Sequence, residues 1–298
     1  MQLGLIGLGR MGANMAQRLV EGGHTVVGYD PNPDAVRRIS RPGAVGVATL
    51  SELIKPLEPP RAVWIMVPAG EAVTETIHAL LPHLSRGDIL IDGGNSYYKD
   101  SIQRAKALEP RGIHFLDVGT SGGIWGLSVG YCLMIGGEEE SFKRLEPAFK
   151  TLAPKEGYLY CGASGAGHFA KMIHNGIEYA MLQAYGEGFE LLNASPFEFD
   201  LEKIAHLWNQ GSVVRSWLLE LAEGAFSKDA TLEGFKGVVE DSGEGRWTVL
   251  EAVERGVPAP AIATALFRRF RSREEEAFSD KFIAALRKEF GGHEPKRK

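Results

Sequence analysis

Midway along the chain, Lys171, His174, Asn175 and Glu178 recur at i, i+3, i+4 and i+7, which places them along one face of a helix. Tyr179 lies at the margin of that face. A lysine held this way can serve as a general base on a small molecule. Lys171 and Glu178 stand about 10 Å apart along the axis, so they are not an ordinary i,i+4 ion pair and can flank a substrate. A solvated polar stripe is the everyday alternative. Against it, Lys171 follows closely on the glycine-rich Cys161-Gly162-Ala163-Ser164-Gly165. There the positive end of the helix dipole disfavours an ammonium and helps bring a lysine into a useful range. Phe169, Ile173, Ile177, Ala180 and Met181 are expected to pack in the core from other faces.

Two glycine-bearing segments add polar groups, Asp92-Gly93-Gly94-Asn95-Ser96 and Gly119-Thr120-Ser121-Gly122-Gly123. Each follows an apolar run that reads as a strand, which predicts loops at the ligand-binding edge of a sheet. Ser121-Gly122-Gly123 can offer a hydroxyl and successive amides to an anion such as a carboxylate. Plain turns are the alternative for both.

The first residues carry Gly7-Leu8-Gly9-Arg10-Met11-Gly12. A GxGxxG match alone is weak, but this one follows the apolar Leu3–Ile6 and precedes the helical pattern of Ala13–Val20, the context of a phosphate-cradling turn. Gly7 would permit the turn, Gly9 the approach of a pyrophosphate, and Gly12 the packing of helix on strand. Asp30 lies 18 residues beyond Gly12 and ends the next strand pattern. Its carboxylate can accept from a ribose 2′-hydroxyl and would repel a 2′-phosphate, which favours NAD over NADP. It could instead be an N-cap for the helix after Pro31, and Arg37 or Arg38 could swing toward a 2′-phosphate.

These groups need a scaffold. Strand patterns at Gln2–Ile6, Thr25–Tyr29, Ala62–Val67, Ile89–Asp92, His114–Val118 and Cys132–Ile135 alternate with helical ones. The alternation predicts an α/β Rossmann domain with a doubly wound, mostly parallel sheet over 1–163. From 164 to 298 the chain reads as an all-α domain. Its helices are expected at Ala166–Asn193, Leu201–Trp208, Val214–Glu223, Thr248–Glu254, Ala259–Phe270 and Glu274–Phe290, with Glu294–Lys298 a solvated tail.

The chain's 298 residues are enough for two cores. A net charge of −5 without a broad basic stretch argues against a nucleic-acid partner. Cys132 and Cys161 are too few for a disulfide framework, and no cluster has metal-ligand spacing, so no metal is expected. No apolar run approaches the roughly 20 residues of a membrane span, and no signal peptide is visible. The expectation is a cytoplasmic protein folded from Met1.

Phe169-Ala170-Lys171-Met172-Ile173-His174-Asn175-Gly176-Ile177-Glu178-Tyr179 resembles the signature of the decarboxylating 6-phosphogluconate dehydrogenase family, and Asp92-Gly93-Gly94-Asn95-Ser96 is similar to another of its segments. The resemblance covers nearly the whole chain and is to the short, NAD-preferring branch. It implies oxidative decarboxylation of 6-phosphogluconate to ribulose 5-phosphate and CO2. By position, it makes Lys171 the general base and then acid, and Glu178 the acid that protonates C1. Asn95, Ser121, Gly122, Gly123, His174 and Asn175 would hold the sugar acid, and Tyr179 and Arg269 its phosphate. Gly7, Leu8, Gly9, Arg10, Met11, Gly12, Asp30, Val67, Pro68, Ala69 and Asn95 would hold NAD, with Val67 to Ala69 beside the nicotinamide. Arg287 and His293 match the family's RxxFGxH tail, which implies a homodimer or homotetramer whose tails complete neighbouring active sites.

The resemblance has one departure. Where the long form has Lys-Gly-Thr-Gly-Lys-Trp, this chain has Ser242-Gly243-Glu244-Gly245-Arg246-Trp247. Glu244 would repel a phosphate if it pointed inward, and Arg246 is the compensating cation. Two other readings remain. A β-hydroxyacid dehydrogenase of the 3-hydroxyisobutyrate type shares the glycine turn, the Ser-Gly-Gly segment and the lysine, but has no counterpart of Glu178. A non-catalytic NAD-binding sensor would not need both Lys171 and Glu178.

Overall fold

The computed structural model describes residues 1–291, with side chains through Glu289. The chain divides into two compact units, Met1–His174 and Asn175 onward.

The first unit holds an eight-stranded sheet, of strands β1 (Gln2–Ile6), β2 (Thr25–Tyr29), β3 (Ala44–Val47), β4 (Ala62–Ile65), β5 (Ile89–Asp92), β6 (His114–Ser121), β7 (Cys132–Gly137) and β8 (Tyr158–Gly162). The helices between them are α1 (Arg10–Glu21), α2 (Pro33–Ile39), α3 (Leu50–Ile54), α4 (Glu71–Leu80), α5 (Tyr98–Leu108), α6 (Gly126–Val129) and α7 (Glu139–Leu152). The order is β3-β2-β1-β4-β5-β6-β7-β8, with only β6 and β7 antiparallel. The winding reverses between β1 and β4, the topological switch point at which such sheets bind ligands. One buried cluster joins Leu3, Leu5, Trp64, Ile91 and Leu116 to Met15 and Leu19 of α1 and Phe149 of α7. On the other face Ile6, Val63, Ile65 and Leu90 pack on Val73 and Ile77 of α4. Central strands covered on both faces explain the continuous apolar runs visible in the sequence.

The structure corrects several expected boundaries. β3 and β8 are additional strands that the sequence pattern did not show. Both are edge strands, and Val45 and Leu159 are exposed on them. β6 continues to Ser121, because antiparallel β7 extends its ladder through Thr120↔Leu133 and Ser121↔Cys132. Gly119, Thr120 and Ser121 are therefore strand residues, and the loop begins only at Gly122.

Helix α8 (Ala166–Asn193) runs from the first unit into the second, followed by α9 (Leu201–Asn209), α10 (Trp217–Phe226), α11 (Glu244–Glu254), α12 (Pro260–Ser272) and α13 (Phe278–Gly291). Phe189, Ala205, Leu219 and Phe226 form one core of the second unit, and Tyr179, Ala265 and Leu266 another. α10 starts at Trp217, three residues later than expected, because Ser216 caps it by accepting from Leu219 N at 3.1 Å. α11 starts earlier, after Gly243 at φ 103°. α8 also inverts one expectation. Ile177 and Met181 are 50% and 37% exposed, whereas Lys171 and Asn175 are buried. The expected core residues Phe169, Ile173 and Ala180 are half-buried, as are His174 and Glu178 of the polar face. No helix among the described residues is long and apolar enough to cross a membrane.

Candidate active site

At the end of β1, Gly7 has φ 89°, and a Cβ there would meet the Met66 carbonyl oxygen at 2.4 Å. Only glycine makes this turn. A Cβ at Gly12 would lie 1.9 Å from the Gly7 carbonyl oxygen, which is the close helix-on-strand packing expected of the third glycine. A Cβ at Gly9 would meet nothing within 4 Å. Gly9 caps α1 without a side-chain hydrogen bond, and the first turn carries no acid. The amides at this helix start thus keep their positive field for an anion. The residues present fit a dinucleotide's pyrophosphate.

Asp30 follows β2. Its Oδ2 accepts from Leu8 N at 2.7 Å and its Oδ1 from Asn32 N at 2.8 Å. The carboxylate is therefore fixed beside the glycine turn, and the Leu8 amide faces it instead of the pyrophosphate. Asp30 does not cap α2. That role falls to Asn32, which accepts from Asp34 N at 2.9 Å. Arg37 is paired with Asp34 on the exposed side of α2.

The loops after β4 and β5 adjoin. Gly94 approaches the Val67 carbonyl so closely that a Cβ would lie 3.0 Å from its oxygen. Val67 is half-buried, and Pro68, Ala69 and Asn95 are exposed. Asp92 closes β5, fully buried, and accepts from Gly94 N at 3.1 Å and Ser96 Oγ at 2.7 Å, which shapes the turn that presents Asn95.

The start of α8 is tied to β6. Asp117, fully buried, accepts from Gly165 N at 2.7 Å and His168 N at 2.8 Å. This carboxylate offsets the positive helix end that the sequence argument set against an ammonium at Lys171. The Lys171 side chain is itself buried, at 6% exposure. A Cβ at Gly119 would come within 2.4 Å of Lys171 Cβ and 2.9 Å of the Gly167 carbonyl oxygen, so glycine lets α8 lie against β6. One turn further, His174 Nε2 lies 3.5 Å from Ser121 Oγ. Gly122 and Gly123 take φ 122° and 52°, which opens the loop beyond Ser121. The first unit therefore gathers Ser121, Gly122, Lys171 and His174 at the end of β6.

The second unit carries Asn175, Glu178 and Tyr179 on α8. Glu178 is half-buried, and Tyr179 is 4% exposed. The Arg269 guanidinium lies 3.5 Å from the centre of the Tyr179 ring, and the Tyr179 hydroxyl accepts from Ser242 N at 3.3 Å. Tyr179, Arg269 and the 242–247 segment thus converge. Glu244 points inward at 2% exposure, its Oε2 accepting from Ser242 Oγ at 2.5 Å while Oε1 is buried without a hydrogen-bond partner. Arg246 is held by Asp241, to which its Nε and Nη2 donate at 2.6 and 3.1 Å, and it leans on the Phe270 ring. Arg273 donates to the same carboxylate at 2.8 Å. Arg246 foremost, and Arg273 after it, hold the Asp241 carboxyl below its ordinary range against the opposing effect of burial. Arg246 is therefore engaged with an acid, not poised as a free cation. Arg287 is exposed on α13, and His293 lies outside the described residues.

Asp92, Asp117 and Asp241 organise these parts, yet sequence reasoning did not single out their roles. A signal was present for Asp117, an acid inside the apolar strand run Phe115-Leu116-Asp117-Val118, where a buried charge demands partners.

A sheet that switches between β1 and β4 at a glycine turn, an uncapped helix start and a fixed acid after β2 define a dinucleotide-binding protein with a Rossmann unit and a helical unit. Residues 2–162 match the NAD binding domain of 6-phosphogluconate dehydrogenase, and residues 167–297 match the C-terminal domain of 6-phosphogluconate dehydrogenase. The chain belongs to the 6-phosphogluconate dehydrogenase family. It is 50% identical over 298 residues to YqeC of Bacillus subtilis, covering 100% of both chains. It is 44% identical over 300 residues to the NAD(+)-dependent, decarboxylating 6-phosphogluconate dehydrogenase of Haloferax volcanii, covering 100% of this chain and 99% of that one. Among solved structures, the 6-phosphogluconate dehydrogenase of Plasmodium falciparum superposes with a TM-score of 0.84 at 29% identity, covering 100% of this chain and 67% of that one.

Proposed function

We propose that this chain catalyses the NAD-linked oxidative decarboxylation of 6-phosphogluconate to ribulose 5-phosphate and CO2. The observation that carries the reading is α8, which bears Lys171 buried against Gly119 and Glu178 two turns further on the same helix. Gly7, Leu8, Gly9, Arg10, Met11, Gly12, Asp30, Val67, Pro68, Ala69 and Asn95 would hold NAD, which when bound accepts the hydride from C3. Leu8 would do so through its position in the turn, because its amide is turned to Asp30.

The chain's own residues move the protons. Neutral Lys171 takes the proton of the C3 hydroxyl as the hydride leaves C3. The resulting 3-keto acid loses CO2, and its electron pair passes into the C3 carbonyl, whose developing oxyanion the Lys171 ammonium stabilises. Glu178 delivers a proton to C1 of the enediol. Ser121, Gly122, Gly123, His174, Asn175 and Asn95 would orient the sugar acid. Tyr179 and Arg269 would hold the phosphate, joined by Arg287 and His293 from a neighbouring subunit of a cytoplasmic homodimer or homotetramer.

The test follows NADH absorbance and CO2 release with 6-phosphogluconate, gluconate and 3-hydroxyisobutyrate, each with NAD and NADP. Turnover of 6-phosphogluconate with one CO2 per NADH is expected, and its absence would overturn the reading. The alternative 3-hydroxyisobutyrate reading is disfavoured by the family match of the helical unit.

A further inference from the structure

Arg104 lies on α5, 8% exposed, and belongs to neither the glycine turn nor the polar face of α8. Its guanidinium spans two loops. Nη1 donates to Asp92 Oδ2 at 3.1 Å, while Nη2 donates to the Gly70 carbonyl oxygen at 2.9 Å and to Thr74 Oγ1 at 3.2 Å. Asp92 shapes the loop that carries Asn95. Gly70, at φ 90°, ends the Val67–Ala69 loop and caps α4 without a side-chain hydrogen bond. One planar cation therefore grips both loops from beneath, where Gly94 already approaches the Val67 carbonyl.

Stability alone is a poor explanation for this arrangement. Taking an ion pair out of water costs about as much as its attraction returns, and Arg104 Nε remains buried without a partner. A rigid fork differs from a point charge in fixing the spacing of two acceptors at once. We propose that Arg104 is a positioning residue. Through Asp92 on one side and Gly70 on the other, it sets the separation of the Val67–Ala69 and Gly93–Ser96 loops. Those loops bound the nicotinamide end of the cofactor site, so Arg104 governs hydride transfer without touching substrate or cofactor. The inference rests on the assignment of these loops to the nicotinamide.

A cavity of about 550 Å³ between α4 and α5 is lined by Arg104, Gly70, Thr74 and Asp100. Removal of the Arg104 side chain would therefore leave a place that a small cation can reach from solvent.

The experiment compares Arg104→Ala and Arg104→Lys with the parent enzyme. Reduced nicotinamide fluorescence and its anisotropy in the binary NADH complex report the nicotinamide without turnover, and ADP-ribose binding reports the other half of the site. The expected result is an ADP-ribose Kd within about twofold of the parent, loss of NADH fluorescence enhancement, and kcat down about 100-fold, the scale of a 1 Å misplacement. Millimolar guanidinium should restore the NADH signal in Arg104→Ala, and methylammonium should not. Arg104→Lys should stay impaired, because an ammonium cannot hold both acceptors. The proposal is overturned if Arg104→Lys behaves as the parent, or if ADP-ribose and NADH binding weaken together. It is equally overturned if Arg104→Ala loses only thermal stability, or if guanidinium restores nothing. Should Arg104→Ala not fold, Arg104→Lys decides by the same fluorescence and binding readouts. If the parent enzyme binds NADH but does not turn over 6-phosphogluconate, the functional reading fails while the fluorescence comparison still decides the role of Arg104.

Discussion

Gly119→Ala tests whether the seating of α8 on β6 controls the chemistry. The added Cβ would sit 2.4 Å from Lys171 Cβ and 2.9 Å from the Gly167 carbonyl oxygen. Ordinary carbon contacts need about 3.5 Å, so helix and strand must part by roughly 1 Å. Neither neighbour is the flexible end of a side chain, and the displacement therefore falls on the backbone that carries Lys171. Overpacking of this kind costs about 1–3 kcal/mol of stability, which urea unfolding will read. The larger effect is expected in the rate, because a 1 Å misplacement of a reacting group costs about 100-fold, or about 2.7 kcal/mol of barrier. Steady-state assays at saturating NAD and 6-phosphogluconate should show that loss in kcat. NAD affinity, which the proposed reading assigns to the glycine turn, should change less than threefold. A kcat within threefold of the parent, in a protein folded by circular dichroism, would show either that Lys171 takes no part or that its seating is irrelevant.

Gly9→Ala is the complementary change. Its methyl meets no protein atom within 4 Å, so Tm should hold while the NAD Kd measured by calorimetry rises about tenfold by crowding the pyrophosphate. An unchanged Kd would remove Gly9 from the cofactor site. Asp117→Ala strips the buried acceptor from Gly165 N and His168 N, and should destabilise the fold by about 3 kcal/mol in urea titration; a loss below about 1 kcal/mol would contradict the capping role. Glu244→Gln removes a carboxylate from the segment beside Tyr179 and Arg269, so KM for 6-phosphogluconate should fall several-fold with KM for gluconate unchanged, and equal changes for both would dissociate Glu244 from the phosphate. His24 is held below its ordinary value of 6.5, first by burial and then by the N-terminal ammonium. The native state thus binds fewer protons than the unfolded chain once pH falls below about 6.5. Its contribution is present above that pH and lost below it, so His24→Gln should flatten the decline in urea stability between about pH 7 and 5; a parallel decline would refute the assignment.

The sequence revealed most where a strong local pattern coincided with tertiary demand. The strand Gln2–Ile6 is apolar from Leu3 onward because both sheet faces are covered, and α8 has no proline from Ala166 to Asn193 and ends shortly before Pro196. Pattern and structure agree there to the residue. β3 and β8 escaped because an edge strand is short and half-exposed, so its alternation is weak. The extent of β6 was hidden because its last residues are paired by β7, and no local signal in Gly119-Thr120-Ser121 announces a partner strand. The glycines of the phosphate turn were legible from spacing and strand-helix context. The polar groups of α8 were also legible as a chemical set, but the exposure of Ile177 and Met181 was not, since periodicity separates faces without giving the burial of each residue. The orienting acids were hardest to foresee. Asp92, Asp117 and Asp241 act through backbone amides and arginines that only the assembled chain brings to them.

Asp30 carries a consequence for how cofactor preference can change over evolutionary time. The carboxylate assigned to discrimination between ribose hydroxyl and phosphate is also a rivet between the glycine turn and the end of β2, through Leu8 N and Asn32 N. A lineage drifting toward the phosphorylated dinucleotide cannot discard this acid and keep the turn intact. It must first, or simultaneously, install another acceptor for the Leu8 amide. Selectivity and local rigidity are thus inherited as one trait, and the route between the two cofactors is confined to sequences that keep an acceptor for that amide.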